Sequence, residues 1–465
     1  MADLIKNGMH GCSAAENYVP PKDELLRERL EWFQDQKLAL MMHFGPYAQM
    51  GICESWPLSE EDASWSRRDV DWEDDPKVFR EQYVNLNRSF NPMRFVPEQW
   101  ADVGARDGFK YFLLTTKHHD GFCMFDTKYT DYKITDPSCP FHTHKYANVV
   151  KHAFDAFRAR GIAIAAYFSK PDWHCPWYWA EGMERPVGSW RNPTYDPKEH
   201  PDVWEKYVEF THNQIMELVG GDYGRIDILW LDGGQVDPKN NQDIRLSEVL
   251  ARARKIQPWL LSADRTIGGE NENYITPEQS VPSDYVPVPW ESCVTVGTGF
   301  AYKYGDTYKS PRELVSLLIS VVCRGGNLAL NVAPQPDGRL PKRAIESVDG
   351  MGAWLKANGE AIYSTRAYAP YDLGGFAYTQ RASEGKVYAM YHMDEGEKLG
   401  RTLVIPFNQE AKRVTLLDCG EVAFKYVELT GDEYAAAGIT RGIEVTLPYQ
   451  LNGTCPIAPT FRIEV

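Results

Sequence analysis

The stretch "IDILWLDGGQ" (226–235) ends an apolar run on a carboxylate, Asp232, and follows it at once with two glycines. Side chains alternate along a strand, so Ile226, Ile228, Trp230 and Asp232 share one face while Asp227, Leu229 and Leu231 share the other. An acid beside a tryptophan at the tip of a buried strand is placed to act at the mouth of a pocket, and glycines let backbone approach a ligand closely. The bland alternative is an Asp that caps the next helix. Against it stand the other apolar runs, which end the same way. "LALMMHFG" (38–45) delivers His43, and "YFLLTTKHHDGF" (111–122) delivers Lys117, His118, His119 and Asp120. "AIAAYFSKPDWH" (163–174) brings Tyr167, Asp172, Trp173 and His174, and "WLLSADRT" (259–266) brings Asp264 and Arg265.

One strand-end carboxylate among histidines, an arginine and aromatic rings suits glycoside hydrolysis. That reaction needs a second carboxyl to protonate the leaving oxygen. Glu291 in "PWESC" is a candidate, and Glu270, Glu272 and Glu278 in "GGENENYITPEQ" compete with it; spacing does not choose. Aromatic residues make up 13% of the chain and cluster in "ESWPL", "PDWHCPWYW" and "PWES", where flat rings can cover the apolar face of a sugar. A metal-dependent hydrolase is the rival reading, with His118 and His119 joined by His43, Asp120 or His174. Adjacent strand residues point to opposite faces, so a ligand pair is more naturally spaced like His142 and His144. That pair sits in a Pro-rich loop with no strand-end carboxylate nearby, so it reads as structural, and no metal or other cofactor is expected. A silent carbohydrate-binding protein would keep the aromatic rim but would have no reason to keep both acids.

Those strand ends need a frame that gathers them. Apolar β-forming runs alternate with helical spacing, as in "NVVKHAFDAFRARG" (148–161) and "VWEKYVEFTHNQIMELVGG" (203–221), which predicts a parallel sheet covered by helices. No GxGxxG follows an early strand, so a (β/α)8 TIM-like barrel is favoured over a doubly wound sheet. After a last helix near 344–363 the texture changes to short alternating strands such as "KVYAMYHM", "GIEVTLP" and "TFRIEV". The expected organisation is a lead segment over 1–30, a barrel over 31–364 and an antiparallel β-sandwich over 365–465.

A formal net charge of -15 argues against a nucleic-acid partner, because such binding rests on Lys and Arg neutralising phosphates. Nine cysteines without a CxxC pair read as reduced thiols. With no apolar segment of signal or membrane-span type, the expectation is a cytoplasmic protein without a membrane partner.

Taken in order, "HFG", "KHHDGF", "WLDGG", "WESC" and "GGNLALNVAPQPDG" resemble the α-L-fucosidases of glycoside hydrolase family 29, over roughly 30–365. The resemblance implies a distorted barrel with a trailing β-sandwich and metal-free, retaining hydrolysis of terminal α-L-fucose from fucosylated oligosaccharides or glycoconjugates. It implies Asp232 as nucleophile, and His43, His118, His119, Tyr167, Trp230 and Arg265 as the groups that hold the sugar. Glu54 and Trp56 of "CESWPL" resemble an early-loop pair that touches it, although here Ser55 separates the two and Phe44 follows His43. Glu291 is similar to the acid/base of a branch that leans to α-1,3 and α-1,4 linkages. The loop 171–190 and the segment after Glu291 would then shape the choice of aglycone.

Overall fold

The computed structural model describes residues 5–59, 64–67, 72–183, 190–394, 396–451, 453 and 455–465. Residues 1–4 of the expected lead segment and 184–189 of the loop 171–190 therefore lie outside the described residues.

Seven parallel strands form one curled sheet: β1 (Leu38–Met42), β2 (Tyr111–Lys117), β3 (Ala163–Ser169), β4 (Ile228–Asp232), β5 (Leu261–Asp264), β6 (Glu291–Thr295) and β7 (Asn327–Asn331). Their order is β5-β4-β3-β2-β1-β7-β6. The eighth position of the expected barrel, between β5 and β6, is taken by an irregular segment. Isolated bridges tie it in at Ala263 with Glu272, Ile275 with Trp290, and Glu278 with Cys293. That is the distortion of the barrel, and it matters below.

Strand alternation sorts the sheet into two faces. Ala39, Met41, Tyr111, Leu113, Ala165, Tyr167, Ile228, Trp230, Cys293 and Ala329 pack together on the inside. Leu40, Met42, Phe112, Leu114, Ile164, Phe168, Leu229, Leu231 and Leu330 belong to the larger cluster shared with the outer helices. Strands buried on both faces must be apolar at nearly every position, which is why these runs carry so few polar residues before their ends.

The helix Glu24–Gln36 starts where the Asp23 side chain accepts the Leu26 N–H, and its apolar stripe of Leu26, Leu30 and Phe33 joins the inner cluster. Phe33 stacks on Tyr274 at 4.1 Å, and Asn327 Nδ2 donates to its carbonyl at 2.7 Å. This helix closes the floor of the barrel, at the N-terminal ends of the strands, so that only the opposite end is open. The helices Val149–Arg158 and Pro201–Val219 lie where their periodicity predicts them.

From Arg366 onward the chain is antiparallel. A six-stranded sheet runs in the order Arg366–Leu373, Phe376–Arg381, Lys386–Tyr391, Thr460–Glu464, Arg413–Leu416, Gly420–Glu421, and a three-stranded sheet holds Thr402–Pro406, Arg441–Thr446 and Phe424–Glu428. Phe376, Tyr378, Ile405, Val414, Ile443 and Phe461 fill the core of this unit. It docks on the barrel through the Trp354 indole N–H, which donates to the Ala458 carbonyl at 3.0 Å, and through Arg366, which pairs with Asp35 at 2.6 Å. No helix among the described residues is long and apolar enough to cross a membrane.

Candidate active site

At the open end of the barrel lies a cavity of about 360 Å³, the size of a small-ligand site. Asp232, the last residue of β4, lines it. Its Oδ1 accepts from Arg265 Nη1 at 2.7 Å, its Oδ2 accepts from the Tyr167 hydroxyl at 2.6 Å, and His119 Nε2 stands 3.7 Å from Oδ2. Burial works against a charge here, but the Arg265 guanidinium and the Tyr167 hydrogen bond overcome it and hold the carboxyl well below the usual range. Asp232 is thus an ionised carboxylate in a site walled by protein.

The glycines that follow it answer to the chain around them. Gly233 has φ +96°, and a Cβ there would stand 2.2 Å from Pro171 Cδ; a Cβ on Gly234 would stand 1.8 Å from Thr266 Oγ1. Only glycine lets the β4 tip turn against these two neighbours, and both glycines line the cavity.

His43, His118 and His119 also line the cavity. Each has Nδ1 engaged, to Asn331 Oδ1 at 2.8 Å, Ser55 Oγ at 2.5 Å and Ser169 Oγ at 2.7 Å respectively. Burial pushes His43 and His119 down to about 4 and His118 well below its ordinary value, so all three rings are neutral. Their second partners then set the tautomers. Asn331 donates its own amide to the Phe300 carbonyl, so its oxygen accepts from His43 Nδ1 and leaves His43 Nε2 as an acceptor. Ser169 spends its proton on the Pro171 carbonyl, which gives His119 the same tautomer. Ser55 accepts the Asp120 N–H and is free to donate to His118, whose Nε2–H becomes a donor. Two acceptors and one donor at fixed positions can read a pattern of hydroxyls.

His118 and His119 share the cavity although they are adjacent, because β2 ends at Lys117 after an irregularity in its pairing with β3. The alternation that would separate them no longer applies in the turn. Lys117 itself turns away to a buried pair with Asp172 at 2.9 Å. His118, His119 and Asp232 have ligand atoms within 4.8 Å of one another and could hold a cation. Arg265, already paired with Asp232, puts a fixed positive charge beside that position and disfavours a dication there. His142 and His144 stand apart from this cavity: His142 Nδ1 meets the Cys139 carbonyl at 2.8 Å, and His144 stacks on Phe141.

Trp230 and Tyr167 stack at 5.2 Å and form part of the wall, with Arg265 over the Trp230 ring at 4.5 Å. Trp56 meets His119 edge to face at 5.0 Å. Glu54 lines the cavity as well; its Oε1 accepts the Ala301 N–H at 2.6 Å, and burial pushes it up to about 7. Ser55, between the two, is turned inward beneath His118.

Glu291 is not brought to the cavity. It is the first residue of β6, with no exposure, and its carboxyl accepts from the Trp230 indole N–H at 3.0 Å and from the Tyr111 hydroxyl. Tyr111 opens β2, so both belong to the floor end of the barrel, beneath the Trp230 ring. The pocket carboxyl the sequence ranked below it is Glu278. It sits on the irregular eighth segment, accepts from Arg265 Nη2 at 2.8 Å, and has 42% of its side chain open to solvent. Glu272 faces Ser13, Gly268 and Thr266 instead. Phe300, against His43 at 4.9 Å, and Gly11 are lining residues that no motif signalled.

With the geometry in place, comparison with known proteins gives a consistent result. The sequence profile of the α-L-fucosidase family matches residues 8–360. The plasma α-L-fucosidase of Homo sapiens is 26% identical over 391 residues, covering 81% of this chain and 79% of the relative. α-L-Fucosidase isoenzyme 1 from Paenibacillus thiaminolyticus superposes with a TM-score of 0.75 at 28% identity, over 95% of this chain and 99% of that one. The α-fucosidase of Thermotoga maritima, solved in complex with fucose, gives 0.70 at 25% identity over 96% and 100%.

Proposed function

The chain belongs to the α-L-fucosidase family of glycoside hydrolases, and on that premise we propose that it is a retaining exo-acting enzyme in which Asp232 is the nucleophile and Glu278 the acid/base. The observation that carries this is one guanidinium with two carboxyls: Arg265 donates to Asp232 through Nη1 and to Glu278 through Nη2, on the same cavity. Retaining enzymes hold their two carboxyls about 5 to 5.5 Å apart. Glu54 shares the cavity but is almost fully enclosed, whereas Glu278 faces the solvent side, where the departing alcohol must leave an exo-enzyme.

In the first half-reaction an Asp232 oxygen bonds to the anomeric carbon as the glycosidic C–O bond breaks, and the leaving oxygen takes the Glu278 proton. A fucosyl–Asp232 ester remains. In the second, Glu278 removes a proton from water, the hydroxide oxygen bonds to the anomeric carbon, and Asp232 departs as carboxylate. Arg265 and Tyr167 receive the charge that returns to Asp232. His43, His118, His119 and Glu54 meet the hydroxyls, while Trp56, Trp230 and Phe300 cover the apolar face. The substrate is a terminal α-L-fucose on an oligosaccharide or glycan. The lean to α-1,3 and α-1,4 linkages rested on Glu291, and with that residue in the barrel floor it loses its support.

Two experiments test this. The first-formed anomer, followed by NMR during hydrolysis of an aryl α-L-fucoside, is expected to be α; a β product would overturn retention. Hydrolysis of a panel of α-1,2, α-1,3, α-1,4 and α-1,6 fucosides assigns the linkage, and no turnover of any of them or of the aryl fucoside would leave only a sugar-binding protein.

A further inference from the structure

The segment that carries Glu278 lacks the support the other site residues have. His43, Tyr167, Asp232 and Arg265 sit at the ends of strands held by continuous ladders, whereas residues 272–279 meet β5 and β6 through isolated bridges and a few side-chain hydrogen bonds, Asn273 with Ser262 and Gln279 with Thr295. What completes their hydrogen bonding is the N-terminal stretch, some 270 residues away in sequence. Lys6–Asn7 pairs in parallel with Ser280–Val281; Lys6 N donates to the Gln279 carbonyl at 2.9 Å and Gly8 N to Val281 at 2.8 Å. The backbone N–H of Glu278 itself donates to the His10 carbonyl at 2.9 Å. Ser13 Oγ donates to Glu272 Oε2 at 2.6 Å, and the Tyr18 hydroxyl to the Asn273 carbonyl at 2.8 Å. The stretch therefore grips this segment before, at and after Glu278.

Gly11, next to His10, lies beside the Glu278 side chain. It has φ +65°, a Cβ there would stand 3.4 Å from Glu278 Cβ, and Gly11 is itself part of the cavity wall. A side chain at this position would be strained by the backbone and would press on Glu278.

We propose that residues 6–18 are a positioning strap: by hydrogen bonding along the irregular eighth segment they fix the direction of Glu278 toward the leaving oxygen. This rests on Glu278 being the acid/base. When the strap is absent Glu278 loses the acceptor of its backbone N–H, and its direction is left to the bonds of Pro277 and Gln279 with Cys293 and to Arg265 at the carboxyl. A displacement of about 1 Å in a catalytic group costs on the order of 100-fold in rate. The loss should appear where proton donation limits the rate, with poor leaving groups, and be small with leaving groups that need no proton.

The test compares kcat/KM for a 2,4-dinitrophenyl fucoside and an alkyl fucoside in five proteins: wild type, a deletion of residues 2–12, Gly11→Val, Glu278→Ala, and the deletion combined with Glu278→Ala. The deletion and Gly11→Val are each expected to lose about 10- to 100-fold more on the alkyl than on the dinitrophenyl substrate. Added to Glu278→Ala, the deletion should produce no further discrimination. Gly11→Val removes none of the strap's hydrogen-bonding groups and carries the prediction should the deletion not fold. If Glu278→Ala discriminates while both strap variants lose the two substrates equally, the strap is mere scaffold and the proposal falls, leaving the acid assignment standing. If Glu278→Ala does not discriminate, the acid assignment fails and the strap's role goes with it.

Discussion

Replacing Glu291 by Gln separates the carboxyl in the barrel floor from the one on the cavity. Burial lifts Glu291 from 4.5 to about 7, against the pull of the Tyr111 and Trp230 hydrogen bonds and of Arg265. The folded state therefore binds this proton more tightly than the unfolded chain does. Below pH 4.5 both states are protonated and the residue costs nothing. Between 4.5 and about 7 the unfolded chain ionises while the folded one does not, and stability falls as pH rises, by about 3 kcal/mol in all at ~1.4 kcal/mol per pKa unit. A glutamine fits the same place: its oxygen accepts from the Trp230 indole, and its amide can donate to the Tyr111 hydroxyl oxygen. Glu291→Gln should leave stability unchanged at pH 4 and raise it above pH 7 by up to about 3 kcal/mol, read from urea unfolding across pH. Its kcat/KM on an alkyl fucoside should stay within about tenfold of wild type, whereas Glu278→Gln should lose 100-fold or more, the usual range for a general acid. Loss of activity in Glu291→Gln with Glu278→Gln active would refute the reasoning from geometry and return the acid's role to Glu291.

Other consequences follow from the same site. Tyr167→Phe removes a hydrogen bond to a charged carboxylate, worth about 1.5–3 kcal/mol, so kcat/KM should fall about 10- to 100-fold with the acid limb of the pH profile moving up; an unmoved limb would detach Tyr167 from Asp232. His43 and His119, held neutral at about 4 against 6.5 in the unfolded chain, make the fold lose stability as pH falls from 6.5 towards 4. His119→Gln should flatten part of that slope in unfolding measured against pH; an unchanged slope would contradict it. Exhaustive treatment with a chelator should leave kcat unaltered, since Arg265 occupies the charge position a dication would need. Activity lost to chelator and restored by a divalent metal would revive the His118–His119–Asp232 cluster as a metal site.

How far the sequence could be read depended on periodicity. Trp230 and Asp232 share an inward face because β4 is a regular strand, and the same rule puts Tyr167 beside them on β3. The gathering of His43, His118, His119 and Arg265 on one rim follows from a barrel that opens only at the C-terminal ends of its strands. Where alternation stopped, so did the rule: His118 and His119 sit in a turn, and both reach the cavity. Glu291 misled for a related reason. A Trp-Glu pair before an apolar run says that a strand is near, but Glu291 begins β6, and strand beginnings face the closed floor. Glu278 lies on a segment with neither helical nor strand period, so nothing local ranks it above Glu270 or Glu272. Gly11 and Phe300 come to the cavity from parts of the chain that only the folded barrel brings near. The same irregular segment accounts for the fold: seven strands are legible as runs, and the eighth position has no run to read.

The most direct test of the central claim is to trap the intermediate. A 2-deoxy-2-fluoro-fucosyl fluoride carries a fluorine that slows both half-reactions and a leaving group that needs no acid, so the glycosyl-enzyme should accumulate. Digestion and mass spectrometry should then find one fucosyl label, on the peptide containing Asp232 and on that residue. A label on Glu278 or Glu54, or none while the reagent is still hydrolysed, would contradict the assignment of Asp232 as the nucleophile.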